Sequence, residues 1–108
     1  MAAVAKAFPA TAVTSASGPG GEIVISIAGE LDMSNVEFVR GQIDALLSAD
    51  HSSLVFDLSE LSFTDSSGIA LLVQVASRVK TISLRHVPGS IQRVLQATGV
   101  DEVLAVER

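Results

Sequence analysis

The run Asp65-Ser66-Ser67-Gly68 sets a carboxylate, two hydroxyls and a glycine where a polar segment gives way to an apolar helical pattern. At such a junction a hydroxyl or carboxylate can accept hydrogen bonds from the unpaired amides of a helix's first turn, and capping is the commonest use of Ser and Asp there. Ser66 and Asp65 both fit that role. Nucleophilic catalysis needs more: Ser66 lacks the flanking glycines of a nucleophile elbow, and neither His51 nor His86 has an evident reason to reach it. Asp57 closes an apolar run, where an aspartyl phosphoacceptor could sit. No acidic pair near the first strand and no lysine at a suitable later strand end would hold Mg²⁺ and the phosphoryl group, so Asp57 is expected to accept loop amides around Ser59 instead. With no cysteine and no histidines at metal spacing, neither a metal nor a cofactor is expected.

The elements that must position these groups follow from periodicity. Ala10 to Ser17 alternates small residues and permits an edge strand; Ser17-Gly18-Pro19-Gly20-Gly21 turns the chain; Glu22 to Ala28 sets Ile23, Ile25 and Ile27 on one face, and Gly29 to Asp32 ends that strand. Ser34 and Glu37 have the spacing of a capping box, and Val36, Val39, Ile43, Leu46 and Leu47 form the inner stripe of a first helix, up to the polar run Ser48 to Ser53. Leu54 to Leu58 reads as a strand buried on both faces. Ser59 to Thr64 reads as a connection. A second helix runs from the Asp65 junction to about Lys80, followed by a strand at Thr81 to Arg85. Ser90 can cap a third helix with Ile91, Val94, Leu95 and Thr98 inward; Gly99 stops it, and a short strand at Val103 to Val106 can end the chain. The order β-β-α-β-α-β-α, with the possible last strand, predicts an α/β fold: a mixed sheet, right-handed parallel crossovers and helices packed on the sheet.

Composition narrows the function. The 108 residues suit one domain, with residues 1–9 as a flexible tail and 10–108 as the folded unit. A net charge of −5 with scattered Lys and Arg offers no stripe for nucleic acid, and four Phe without Trp or Tyr remove the usual base-stacking platforms. No apolar run is long enough to insert in a membrane, and the Ala-rich N-terminus lacks the pattern of a secretory signal, so a cytoplasmic location is expected.

Gly29-Glu30-Leu31-Asp32, Val55-Phe56-Asp57-Leu58-Ser59, Phe63-Thr64-Asp65-Ser66-Ser67-Gly68-Ile69 and Val94-Leu95 to Gly99 together resemble the STAS domain family, over roughly Thr11 to Val106. The resemblance implies an anti-sigma-factor antagonist in a bacterial partner-switching system. Such a protein binds an anti-sigma factor while unphosphorylated, and is released when that factor, a serine kinase, phosphorylates the residue matching Ser66; a phosphatase can reset it. ATP and Mg²⁺ belong to the kinase. Ser67 is implied as a supporting hydroxyl, and Asp32 as a rim residue near Ser66, unless it only precedes and polarises the first helix. Asp65 either orients the acceptor or the incoming kinase, or caps the second helix. Gly68 can serve close packing, a partner's approach, or both. Between Gly68 and Ile82 the chain is shorter than the family's common pattern by about one helical turn, ~3.6 residues.

One expectation comes from helical geometry alone. If Ile69, Leu72, Val73 and Ala76 face the core, Leu71 points nearly opposite, beside Ser67, Gln74 and Arg78, and becomes a candidate partner contact. Two other functions fit the same chain: a STAS subunit of a lipid-transport ABC complex or other non-phosphorylated binding module, and a small-ligand binder using the polar rim where strands meet helices.

Overall fold

A computed structural model describes residues 11–47, 53–102 and 104–106. The expected tail at residues 1–9, His51 and Val103 lie outside the described residues. The strands are β1 (Ala12–Ser17), β2 (Ile23–Leu31), β3 (Ser53–Asp57), β4 (Leu61–Thr64), β5 (Thr81–Arg85) and β6 (Ala105–Val106). The helices are α1 (Val36–Leu46), α2 (Ser66–Ala76) and α3 (Gly89–Thr98), with a 3₁₀ turn at Val100–Glu102.

The sheet order is β1-β2-β3-β5-β6, with β1 antiparallel to β2 and the other neighbours parallel. Ile25 and Ile27 on β2, Leu54 and Phe56 on β3 and Leu84 on β5 are fully or almost fully buried. With Val36, Val39 and Ile43 of α1 and Ile91 and Leu95 of α3 they form one core. The mixed sheet with three helices expected from the sequence is therefore present, and the outermost strand β1 is mostly exposed, as its small residues suggest.

Several expectations are corrected. Strand β2 does not end at Gly29; Gly29 sits at φ +95°, the register shifts there because Ser62 is an extra residue on the facing segment, and β2 continues to Leu31. The extension exists because residues 61–64, read as a connection, form β4 parallel to the far half of β2. β3 and β4 thus run one after the other along the same side of β2. The capping box does not form: the Ser34 N–H and hydroxyl both donate to Asp32 Oδ1, so Ser34 is occupied before the helix begins. Asn35 takes the N-cap position, and its side chain braces the turn by accepting from the Asp32 N–H and donating to Thr11 Oγ1 and the Glu30 carbonyl. Helix α2 stops at Ala76 rather than near Lys80, because the Ser77 hydroxyl and N–H take up its last carbonyls. In α3 Pro88, not Ser90, is the N-cap, and Thr98 is exposed, its hydroxyl turned back onto the Val94 and Leu95 carbonyls. Gly99 ends α3 at φ +75°, a left-handed position that suits glycine.

The largest correction is Leu71, which is 0 % exposed. The stripe assigned to solvent faces α1: Gln74 accepts a hydrogen bond from Arg40, and Arg78 pairs with Asp44. Both ties join residues 34 positions apart, so the two helices lie side by side and run in the same direction. Leu71 lies one turn before Gln74 on that stripe, and the core there spans Gly68, Ile69, Leu71, Leu72 and Val75. A buried Leu truncated to Ala typically costs ~2–5 kcal/mol. Leu71→Ala is therefore expected to lower the unfolding free energy measured by urea titration by an amount in that range, whereas a solvent-facing Leu71 would leave it nearly unchanged.

Candidate functional site

The C-terminal ends of β2 and β4 deliver two short segments to one place. The Asp65 N–H donates to the Leu31 carbonyl at 3.2 Å, closing the β4–α2 junction against the end of β2. Asp65 is the N-cap of α2, not Ser66. Its Oδ1 accepts from the Ser67 N–H at 2.9 Å, the Ser67 hydroxyl at 2.5 Å and the Gly68 N–H at 3.3 Å. Its Oδ2 reaches across to the Met33 N–H at 3.2 Å. One carboxylate thus satisfies two amides of the first turn and pins the loop between β2 and α1. Of the two alternatives open for Asp65, the geometry supplies the cap.

The Ser67 hydroxyl donates to Asp65 Oδ1. Ser66, the first residue of α2, is exposed, and its hydroxyl makes no hydrogen bond among the described residues. With the Ser67 and Gly68 amides capped by Asp65, Ser66 is left exposed at the helix start.

Gly68 is fixed by packing. A Cβ there would stand 2.1 Å from Thr64 Oγ1 and 2.8 Å from Leu31 Cγ. Leu31 is fully buried and Thr64 is 4 % exposed, so neither has room to withdraw. Only glycine lets the first turn of α2 press onto β2 and β4 this closely.

Asp32 lies in the loop that Asp65 pins, its Oδ1 engaged by Ser34. Asp57 ends β3 beside Ser26 in the middle of β2, accepts from the Ser59 N–H at 3.0 Å as expected, and also meets His86 Nδ1 at 3.2 Å. His86 itself sits at φ +56°, unusual for a residue with a side chain. No hydrogen bond joins this pair to Asp65 among the described residues. Gln74 and Arg78 are exposed but engaged with α1, and Leu71 is in the core, so these three do not gather at Ser66.

Sequence reasoning missed two exposed apolar groups on the segments next to this junction. Met33, in the pinned loop, is 78 % exposed, and Phe63, two residues before Asp65 on β4, is 48 % exposed. A lone Met between Asp32 and Ser34 was the available signal. Among the described residues no group of His, Cys, Asp or Glu could hold a metal ion, and no helix is long and apolar enough to cross a membrane.

Comparison with known proteins places this arrangement. A family profile described as "Mlab, STAS domain" matches residues 14–106. The chain belongs to the STAS domain family. A curated relative, the anti-sigma F factor antagonist of Lysinibacillus sphaericus, is 35 % identical over 86 residues, spanning 72 % of this chain and 71 % of the relative. The fold matches an anti-sigma factor antagonist from Mycobacterium paratuberculosis at a TM-score of 0.81, with 23 % identity over 90 % of this chain and 85 % of that one. It also matches SpoIIAA, described as an anti-sigma factor antagonist, in its unphosphorylated form, at a TM-score of 0.72 and 24 % identity over 90 % of this chain and 89 % of that one. The phosphorylated form, described as a Bacillus cell fate determinant, matches at 0.65, with 24 % identity over 90 % and 92 % of the two chains.

The Asp65 carboxyl is held below its ordinary value, chiefly by the Ser67 hydroxyl and, against a desolvation cost, by the Gly68, Met33 and Ser67 amides. At Asp57 burial pushes upward, but the hydrogen bonds from Ser59 and the contact with His86 outweigh it, and the net shift is also downward. A lowered folded pKa means that these contacts stabilise the fold above the unfolded value of ~3.9 and are lost as pH falls through the folded one. Asp65→Asn is therefore expected to melt below the parent at pH 7, with the gap narrowing as pH drops below about 4; a gap independent of pH would refute the charge-based cap. Gly68→Ala should cost ~1–3 kcal/mol, as overpacking a close contact does. Urea titration measures it, and an unchanged midpoint would mean that Leu31 and Thr64 can move aside.

Proposed function

We propose that this chain is an anti-sigma-factor antagonist of a partner-switching pair, bound by its anti-sigma factor while the Ser66 hydroxyl is free and released once that factor phosphorylates it. The observation that carries the reading is the exposed Ser66 hydroxyl, unengaged among the described residues, on a helix start whose amides Asp65 already satisfies. The Lysinibacillus relative, named an anti-sigma F factor antagonist, supports the choice of partner. Such a partner places the protein in the cytoplasm.

In this reading the Ser66 oxygen attacks the γ-phosphorus of ATP held by the kinase. The new oxygen–phosphorus bond forms as the bond to the β-phosphate oxygen breaks, ADP leaves, and the hydroxyl proton passes to a base on the kinase. Asp65 is a poor candidate for that base, since both its oxygens already accept hydrogen bonds. It acts as a positioning residue that holds the helix start and the loop beside it. The phosphoryl group carries about −1.5 to −2 charges and sits at the positive end of the helix dipole, so the fold tolerates it. The same charge faces the nucleotide phosphates that the kinase must bring to Ser66, and the contact is lost. A phosphatase restores the binding form.

The test is the intact mass of the protein purified from its native host, with peptide mapping across residues 63–78. A partial gain of about 80 Da on Ser66 is expected, the mass of one phosphoryl group. Ser66→Ala should keep binding the anti-sigma factor yet stop responding to kinase and ATP. A parent protein that is uniformly unmodified in stressed and unstressed cells would overturn the switch in favour of a non-phosphorylated module, such as a transporter subunit.

A further inference from the structure

We propose that the outer edge of β1, together with the flank of α1 beside it, is a contact surface for a second copy of this chain, which pairs β1 with β1 antiparallel about a two-fold axis at Ser15. Among the described residues β1 pairs only with β2. The hairpin shows which backbone groups the outer edge presents. The Gly18 N–H donates to the Glu22 carbonyl at 2.8 Å, and the register continues with Ser17 opposite Ile23 and Ala16 opposite Val24. Antiparallel pairs alternate between those that exchange backbone bonds and those that do not. Ala12, Thr14 and Ala16 therefore bond to β2, while Val13, Ser15 and Ser17 direct their N–H and C=O groups away from it. Ser15 is the middle of the three. Setting it opposite its own copy sets Val13 opposite Ser17, and every outward group on both edges then has a partner.

The edge carries none of the devices that guard an exposed strand against pairing. Residues 11–21 hold no charge, β1 has no proline, and its register with β2 is unbroken. The flank of α1 on the same side is uncharged too. At about 100° per residue around the buried stripe of Val36, Val39 and Ile43, the charged residues Glu37, Arg40 and Asp44 all fall on one side, where Arg40 and Asp44 meet α2. Phe38, Gln42, Ala45 and Leu46 fall on the other. Asn35, at the head of that second side, donates to Thr11 Oγ1 at 2.7 Å, which sets the flank beside β1. Phe38 is 59 % exposed there.

Charge and symmetry select the occupant. A chain of net charge −5 repels its own copies in general, and least where no charge lies. Here neither the strand nor the helix flank brings like charges together. Helix α1 lies against both β1 and β2. A strand spacing of about 4.8 Å therefore brings the two α1 helices, antiparallel across the axis, to roughly the 8–10 Å at which packed helices touch. Their uncharged stripes then face each other, so that backbone bonds set the register and apolar side chains supply the burial. The flank lies on the far side of α1 from α2, so Ser66 stays exposed in the dimer and the pairing does not depend on its phosphorylation.

The test is sedimentation of the full chain over a range of concentrations. One strand edge with one helix flank is smaller than a standard interface of about 1,600 Å², so a reversible dimer with a micromolar dissociation constant is expected. Added salt should tighten it, because self-repulsion is screened while no ion pair is lost. Ser15→Pro removes the N–H on the axis at an edge position that tolerates proline, and Phe38→Lys puts a charge on the helix flank. Each is expected to weaken the dimer about tenfold, while Met33→Ser, an exposed apolar control whose backbone is tied to Asp65 on the α2 side, stays within about twofold. Thermal melting checks that Ser15→Pro folds; Phe38 is mostly in water. The chain has no cysteine, so a single introduced one reports the register. Ser15→Cys, ~5.5 Å from its copy at a bonded pair, should cross-link under mild oxidation. Thr14→Cys, ~8 Å from its copy, lies beyond the ~7 Å reach of a disulfide. A chain that stays monomeric at every concentration, or a dimer that survives both Ser15→Pro and Phe38→Lys, overturns the surface. Failure of Ser15→Cys to cross-link, or cross-linking through Thr14→Cys, overturns the axis at Ser15.

Discussion

A single carboxylate holds the site together. Asp65 closes the first turn of α2 with one oxygen and, with the other, fastens the loop between β2 and α1. Its own N–H is bound to the end of β2. Three elements distant in sequence are therefore referenced to one side chain, and Ser66 inherits a defined place from it. The arrangement also frees Ser66 from the structural duty that a serine at a helix start usually performs. A hydroxyl committed to capping would have to abandon its amides in order to react. Here the neighbour carries that load, and the Ser66 hydroxyl is left exposed.

Behind the carboxylate lies a packing constraint of equal weight. The close approach at Gly68, against fully buried Leu31 and nearly buried Thr64, sets how far the start of α2 can stand from the sheet. That approach requires β4 to lie beside β2, which changes partner from β3 to β4 along its length, and the bulge at Ser62 sets the register of that second pairing opposite Gly29 and Glu30. The bulge, the short strand and the glycine are one mechanical chain ending at Ser66.

Much of the fold was legible in the sequence because local pattern and tertiary role agree. The isoleucines of β2, the apolar run of β3 and the stripe Val36, Val39, Ile43 are buried as their spacing requires. The Asp57–Ser59 bond was legible for the same reason, since an Asp at a strand end next to a turn has nearby amides to accept. β4 was not, because it is four residues long and its own bulge at Ser62 breaks the alternation of exposure that would mark a strand. Leu71 failed for a different reason. Positions 69–73 are all apolar, so periodicity alone cannot choose which side is inward, and it is α1, reached through Arg40–Gln74 and Asp44–Arg78, that decides. At the site, Asp65, Ser67 and Gly68 were legible as a cap motif, while Met33 gains meaning only once its backbone is seen bound to Asp65.

The shared direction of α1 and α2 has a consequence for how a modified form would fare in the cell. Both helices begin at the end of the domain where Ser66 lies, so two positive dipole ends lie near that residue, while the core that sets stability lies behind them. On the functional reading given above, modification then leaves resistance to unfolding, and hence to proteolysis, almost untouched. Neither form is cleared faster than the other. The signal is carried by the proportion of molecules in each form rather than by how many molecules there are, and it can be reversed without new synthesis.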